Sequence, residues 1–122
     1  MTLNEYQEAA MTTCLPESRN DLYMLFGLCE EVGELHGKYA KAIRKGWLRA
    51  DESNDVLLHG EGYKREDELM EGIKKEAGDV LWMLAGFCKG MGWTLEEVAA
   101  ENLAKLADRK SRGVIDGKGD ER

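Results

Sequence analysis

The sequence predicts an all-α fold, a four-helix bundle-like protomer assembled as a homo-oligomer, and three observations carry that prediction. Ala, Leu, Glu, Lys and Met dominate the 122 residues, and Pro16 is the one proline. In two long segments the apolar residues step by three and four, the interval that keeps them on one helix face. Glycines and capping residues fall where those segments end.

The first helix spans about residues 2–13. Thr2 and Glu5 stand at the spacing of a capping box, in which each side chain satisfies a backbone N–H near the other. Pro16 then breaks the helix, because its ring disfavours helical backbone at the residue before it. The second helix covers about 19–45, with Leu25, Leu28, Val32, Leu35 and Tyr39 as a buried stripe and Glu31 at its border. Gly46 ends it, and Lys41, Arg44 and Lys45 suit its negative C-terminal end.

From Trp47 to about Tyr63 the period is lost. Asp51–Asp55 and Gly60–Gly62 read as an exposed, mobile connection, either a functional lid or a tolerated insertion. The third helix covers about 65–89. Leu69, Ile73, Glu76, Val80, Met83 and Phe87 step along it as a seam with one acid in the middle, and Gly90 and Gly92 close it. Thr94 and Glu97 open the fourth helix with a second capping box, and it runs over about 94–112. Residues 1–112 therefore make one domain, and the glycine-rich residues 113–122 a tail without regular structure. One short helix on each side leaves the two long ones partly uncovered, which favours a second copy.

The balance of 17 basic and 24 acidic residues gives a net charge of −7. Such a surface repels nucleic acid polymers and anionic membranes. A small phosphorylated ligand needs a cation or a local basic patch to approach. The N-terminus lacks the basic start and apolar run of a signal peptide, and no apolar run nears the ~20 residues of a membrane span. With three cysteines (Cys14, Cys29 and Cys88) and no Cys-x-x-Cys spacing, the expectation is a cytoplasmic protein with buried, reduced thiols.

Two short stretches nearly repeat each other: Glu31-Val32-Gly33-Glu34-Leu35 and Glu76-Ala77-Gly78-Asp79-Val80. Each points two carboxylates along one helix face. The bare spacing proves little, since Glu5/Glu8 and Glu68/Glu71 share it and read as solvated faces near helix starts. The inner pairs differ by lying mid-helix, among apolar neighbours, and by enclosing Gly33 and Gly78. Each glycine costs about 1 kcal/mol against alanine in a helix interior, so close backbone approach is expected there.

Carboxylates ~4 Å apart at an effective dielectric near 20 repel by about 4 kcal/mol per pair. A cluster of four must protonate, turn away from itself or bind cations. With no histidine or thiolate nearby, the site is all-oxygen and suits Mg²⁺ or Mn²⁺. His36 and His59 lack the Glu-x-x-His spacing of di-iron bundles, and no nucleophile–histidine pairing stands out. Gly117–Asp120 is not a phosphate-binding P-loop, because no strand precedes it and no helix follows; it folds over the site or frays.

Glu30-Glu31-x-x-Glu34 followed by Glu76-x-x-Asp79 resembles the paired acidic motifs of the MazG-like all-α nucleoside triphosphate pyrophosphohydrolases. Gly27-Leu28-Cys29 before the first motif and Val80-Leu81-Trp82 after the second match as well. Asn102-Leu103-Ala104-Lys105-Leu106-x-x-Arg109 is similar to that family's last helix. The resemblance implies cleavage between the α- and β-phosphates of a nucleoside triphosphate, releasing a monophosphate and pyrophosphate. It also implies Mg²⁺ held by Glu31, Glu34, Glu76 and Asp79, and a homodimer or homotetramer.

Asn102, Lys105 and Arg109 fall on one face of the fourth helix, where an amide and two cations can grip a phosphate chain; a solvated basic face is the alternative. Leu103 and Leu106 point elsewhere, into packing. Lys38, one turn after Glu34, is either a phosphate contact or that acid's partner. Glu30, turned about 100° from Glu31, either orients the attacking water or is a surface acid. Trp82 is a candidate for base stacking or a core residue, and Trp47 for a lid. The competing function is a non-catalytic helical oligomer that binds nucleotide or a protein partner; a specialised substrate such as dUTP or phosphoribosyl-ATP is the nearer variant.

Overall fold

The computed structural model describes residues 1–51 and 56–115. Four α-helices account for most of them: α1 Leu3–Met11, α2 Asp21–Arg44, α3 Glu66–Gly90 and α4 Leu95–Ser111. The all-α prediction holds, and each helix lies within about two residues of its expected bounds. Local chemistry explains the ends. The Thr2 hydroxyl accepts from Glu5 N while the Glu5 carboxylate accepts from Thr2 N, so the first capping box is complete. Asn20 caps α2, its side-chain oxygen accepting from Tyr23 N at 2.7 Å. The Thr94 hydroxyl accepts from Glu97 N but donates to the Glu97 carboxylate, leaving the second box half formed. Gly46 and Gly92 have φ of +70° and +78°, the left-handed backbone that terminates α2 and α3. Gly90 lies inside α3 rather than closing it.

The connection between α2 and α3 departs from expectation. It holds a two-stranded antiparallel hairpin, β1 Leu48–Ala50 and β2 Val56–Leu58, with Leu48 opposite Leu58 and Arg49 opposite Leu57. A 3-10 turn over Gly60–Lys64 follows. Strands of three residues are too short for alternation to register in the sequence, and Leu57, exposed, breaks the apolar signal. Part of Asp51–Asp55 lies outside the described residues, as do 116–122 of the expected tail. The hairpin packs inward: Leu48 joins Ala42 and Leu69 in one apolar cluster, with Trp47, Leu58 and Ile73 against it. The Trp47 ring is stacked by the Arg65 guanidinium at 5.1 Å.

The frame of the molecule is the antiparallel pair α2 and α3. A methyl placed on Gly27 would lie 2.6 Å from Met83 Sδ, and one on Gly86 only 2.4 Å from Met24 Sδ. Each helix thus offers a glycine notch to the other's methionine. The same register sets Lys38 against Gly72, whose missing Cβ would be 3.7 Å from Lys38 Cδ. The interlock turns α2 so that Met24, Gly27 and Ala42 are buried, while Leu25 and Tyr39 of the expected stripe are exposed. On α3 the expected seam is found: Leu69, Glu76 and Met83 are buried, and Ile73, Val80 and Phe87 half-buried.

The other two helices are tied on by polar contacts. Gln7 on α1, 1% exposed, donates to Ala85 O and Trp93 O and accepts from Leu95 N, each at 3.1 Å. It joins α1, α3 and the start of α4 at one point. Trp82 donates from Nε1 to Ala10 O and to the Thr13 hydroxyl, which makes it a tether between α3 and α1. Past its first turns α4 is exposed along most of its length, with Arg109 buried near its end. Residues 100–108 are exposed, including Leu103 and Leu106, which were expected in packing.

Candidate metal centre

Three carboxylates meet midway along the α2–α3 pair: an oxygen each from Glu31, Glu34 and Glu76, all within 4.8 Å of one another. The helix register produces the meeting. Glu31 and Glu34 lie two turns beyond Met24 and Gly27 on α2, and Glu76 and Asp79 two turns before Met83 and Gly86 on α3. The centre therefore sits between two apolar clusters. The hairpin cluster of Ala42, Leu48 and Leu69 lies on one side, and that of Cys14, Met24 and Met83 on the other.

Burial differs within the trio. Glu76 is buried at 8% exposure, Glu31 is half-buried and Glu34 is exposed. Burial raises the pKa of Glu31 above its ordinary value, and the charges of Asp79, Glu34, Glu30 and Glu76, in that order, raise it further. Asp79 and Glu30, both exposed, stand outside the trio but close enough for their fields to act on it. Asp79 reaches α1 too: burial first, and then the Asp79 charge, raise the pKa of Tyr6.

One cation stands among these acids. Lys38 Nζ lies 2.7 Å from Glu76 Oε1, crossing from α2 to α3. Its pKa is raised, by its hydrogen bond to Glu76 and that acid's charge and, more weakly, by Glu34. The acids at Glu5, Glu8, Glu68 and Glu71 are exposed on outer faces. Glu8 pairs with Lys89, and Glu71 with Lys75 at 2.8 Å.

Leu95, at the start of α4, packs with Ala85 and Cys88 of α3, while Asn102 and Lys105 are exposed and Arg109 is 4% exposed. Gly33 and Gly78 do not mark a close approach within the chain, since a methyl on either would meet nothing within 4 Å. The close approaches lie at Gly27 and Gly86, each about two turns away, where the methionines need the space. Cys14 and Cys88 are buried as expected, but Cys29 is exposed, because it falls on the outer side of α2.

Tyr6, which feels the Asp79 charge, and Gln7, which ties three helices together, were not legible in the sequence. Both sit on a short first helix whose partners depend on how three helices meet. Among the described residues no helix is long and apolar enough to cross a membrane.

The family model of the MazG nucleotide pyrophosphohydrolase domain matches residues 19–114, a span that takes in α2, the hairpin, α3 and α4. The Gene 37 protein of Mycobacterium phage L5 is 33% identical over 129 residues, an alignment that covers the whole of both chains. No solved structure matches.

Proposed function

The chain belongs to the MazG nucleotide pyrophosphohydrolase family, and from that membership we propose that it hydrolyses (deoxy)nucleoside triphosphates to monophosphate and pyrophosphate with Mg²⁺, or Mn²⁺ in its place. The observation that carries the reading is the trio of carboxylate oxygens within 4.8 Å of one another. The donor set fits a hard divalent ion: oxygens only, excess negative charge, and a half-buried Glu31 destabilised by its neighbours.

Glu31, Glu34 and Glu76 would hold the ion, with Asp79 completing the set from α3. When bound, it supplies the positive charge that lets a triphosphate approach an acidic protein and makes a bound water more acidic. Glu30, exposed on the turn beside Glu31, orients the attacking water and takes its proton. Asn102, Lys105 and Arg109 grip the phosphate chain as it separates into monophosphate and pyrophosphate.

The working domain in this reading is residues 1–112, with 113–122 as a tail, acting in the cytoplasm on free nucleotides rather than on nucleic acid or membrane. The unit is a homodimer or homotetramer. Leu22, Leu25 and Phe26 stand exposed on the outer side of α2, and open space at Gly33 lets a second backbone approach.

A turnover screen tests the proposal. Purified protein is offered common, deoxy and damaged triphosphates with pyrophosphatase added, with and without Mg²⁺, and phosphate release is followed. Mg²⁺-dependent release from at least one substrate is expected, and Glu34→Gln should reduce it by about 100-fold or more with helicity by circular dichroism unchanged. No turnover on any member of the panel would point instead to a nucleotide- or protein-binding oligomer.

A further inference from the structure

We propose that Lys38 is the resident counter-ion of the carboxylate site. Its ammonium occupies the place on Glu76 that a divalent ion takes, and leaves when the ion binds. The inference rests on the reading of Glu31, Glu34 and Glu76 as metal ligands and adds to it a charge exchange built into the chain.

Glu76 is buried, and a buried carboxylate without a partner carries a heavy desolvation cost. Lys38 supplies that partner at 2.7 Å. The same carboxylate contributes an oxygen to the trio, so one group serves both the ammonium and the ligand set. A single positive charge cannot balance three acids, and the site remains short of cation while Lys38 holds it. A divalent ion brings twice the charge to the same point and repels the ammonium away from it.

The chain also provides a path out. The Lys38 stem lies beside Gly72, where a Cβ would be 3.7 Å from Cδ and 3.8 Å from Cε. The side chain, 39% exposed, is not locked in place. A cleft of about 290 Å³ opens from Lys38 past Gly72 toward Trp47, its wall carrying Glu68 and Glu71 beside Lys41 and Lys75. A released ammonium thus moves along an open cleft of mixed charge rather than through packed core.

The test uses the full chain as wild type and Lys38→Met, with Mn²⁺ binding followed by calorimetry and thermal melts run in EDTA and in saturating Mn²⁺. Lys38→Met should bind Mn²⁺ about tenfold more tightly. Its Tm should fall by roughly 3–6 °C in EDTA, and that deficit should vanish in saturating Mn²⁺. Unchanged or weaker Mn²⁺ binding, or an equal deficit with and without metal, would overturn the exchange while leaving the metal centre standing. Absence of any wild-type Mn²⁺ binding that Glu34→Gln removes would overturn the metal centre and the exchange together. A second measurement needs no variant: in ¹⁵N-lysine wild type, the protected Lys38 Nζ signal seen in EDTA should be lost on adding Mg²⁺, and its persistence would count against the proposal.

Discussion

At Glu31 burial and four other carboxylates all oppose the charge. Its folded-state pKa is raised, so the folded protein holds the proton more tightly than the unfolded chain. Stability is therefore lost as pH rises from about 4 through the raised value, and the penalty is constant above it. Glu31→Gln removes the penalty. In EDTA the variant should melt above wild type at pH 7, and the gap should close near pH 4, as a paired series of melts would read. Saturating Mg²⁺ should reverse the order, because wild type then gains a ligand that glutamine does not replace.

At the scale of elements, the glycines separate into those that are filled and those that are open. A methyl on Gly62 would lie 2.2 Å from the Trp47 carbonyl oxygen, a backbone atom held by His59 N at 2.8 Å. Gly62→Ala should cost about 1–3 kcal/mol in chemical denaturation, loosening the 3-10 turn from the hairpin. Gly33→Ala, with nothing nearby, should stabilise the isolated fold by up to about 1 kcal/mol. This contrast also marks how far the sequence could be read. The α3 seam was legible because Leu69 to Phe87 step without interruption and face one partner. The α2 stripe was right at Leu28, Val32 and Leu35, which are half-buried, and wrong at Leu25 and Tyr39, because Met24 and Gly27 are inward for a reason outside α2: the notch at Gly86 and the thioether of Met83. Likewise the acids Glu31, Glu34 and Glu76 were legible from spacing, whereas the pairing of Lys38 with Glu76 required knowing the register of α2 against α3. Gln7 gave no signal, since its three hydrogen bonds reach residues more than 75 positions away.

For the molecule as a whole, the decisive feature is how much apolar surface a single chain leaves uncovered. Leu22 and Phe26 are 60% and 67% exposed on α2, and Leu103 is 67% exposed on α4. Cys29 follows Phe26 by about one turn on the same outer side of α2, so its thiol reports on whatever covers that surface. Phe26→Asp should shift the protein to a smaller species in analytical ultracentrifugation and speed modification of Cys29 by a thiol reagent. Cys88, whose pKa is raised chiefly by burial, should stay unreactive in both. Equal sedimentation of variant and wild type would count against a contact between copies on this face of α2.

The interlocked methionines carry a further liability. A thioether seated in a glycine notch leaves no volume for an added oxygen, and Met24 and Met83 are seated this way from opposite sides of one interface. Conversion of either to its sulfoxide would put a polar S=O where the helices touch. Peroxide would then act as a wedge that spreads the acidic residues two turns away, far from where the chemical damage occurred.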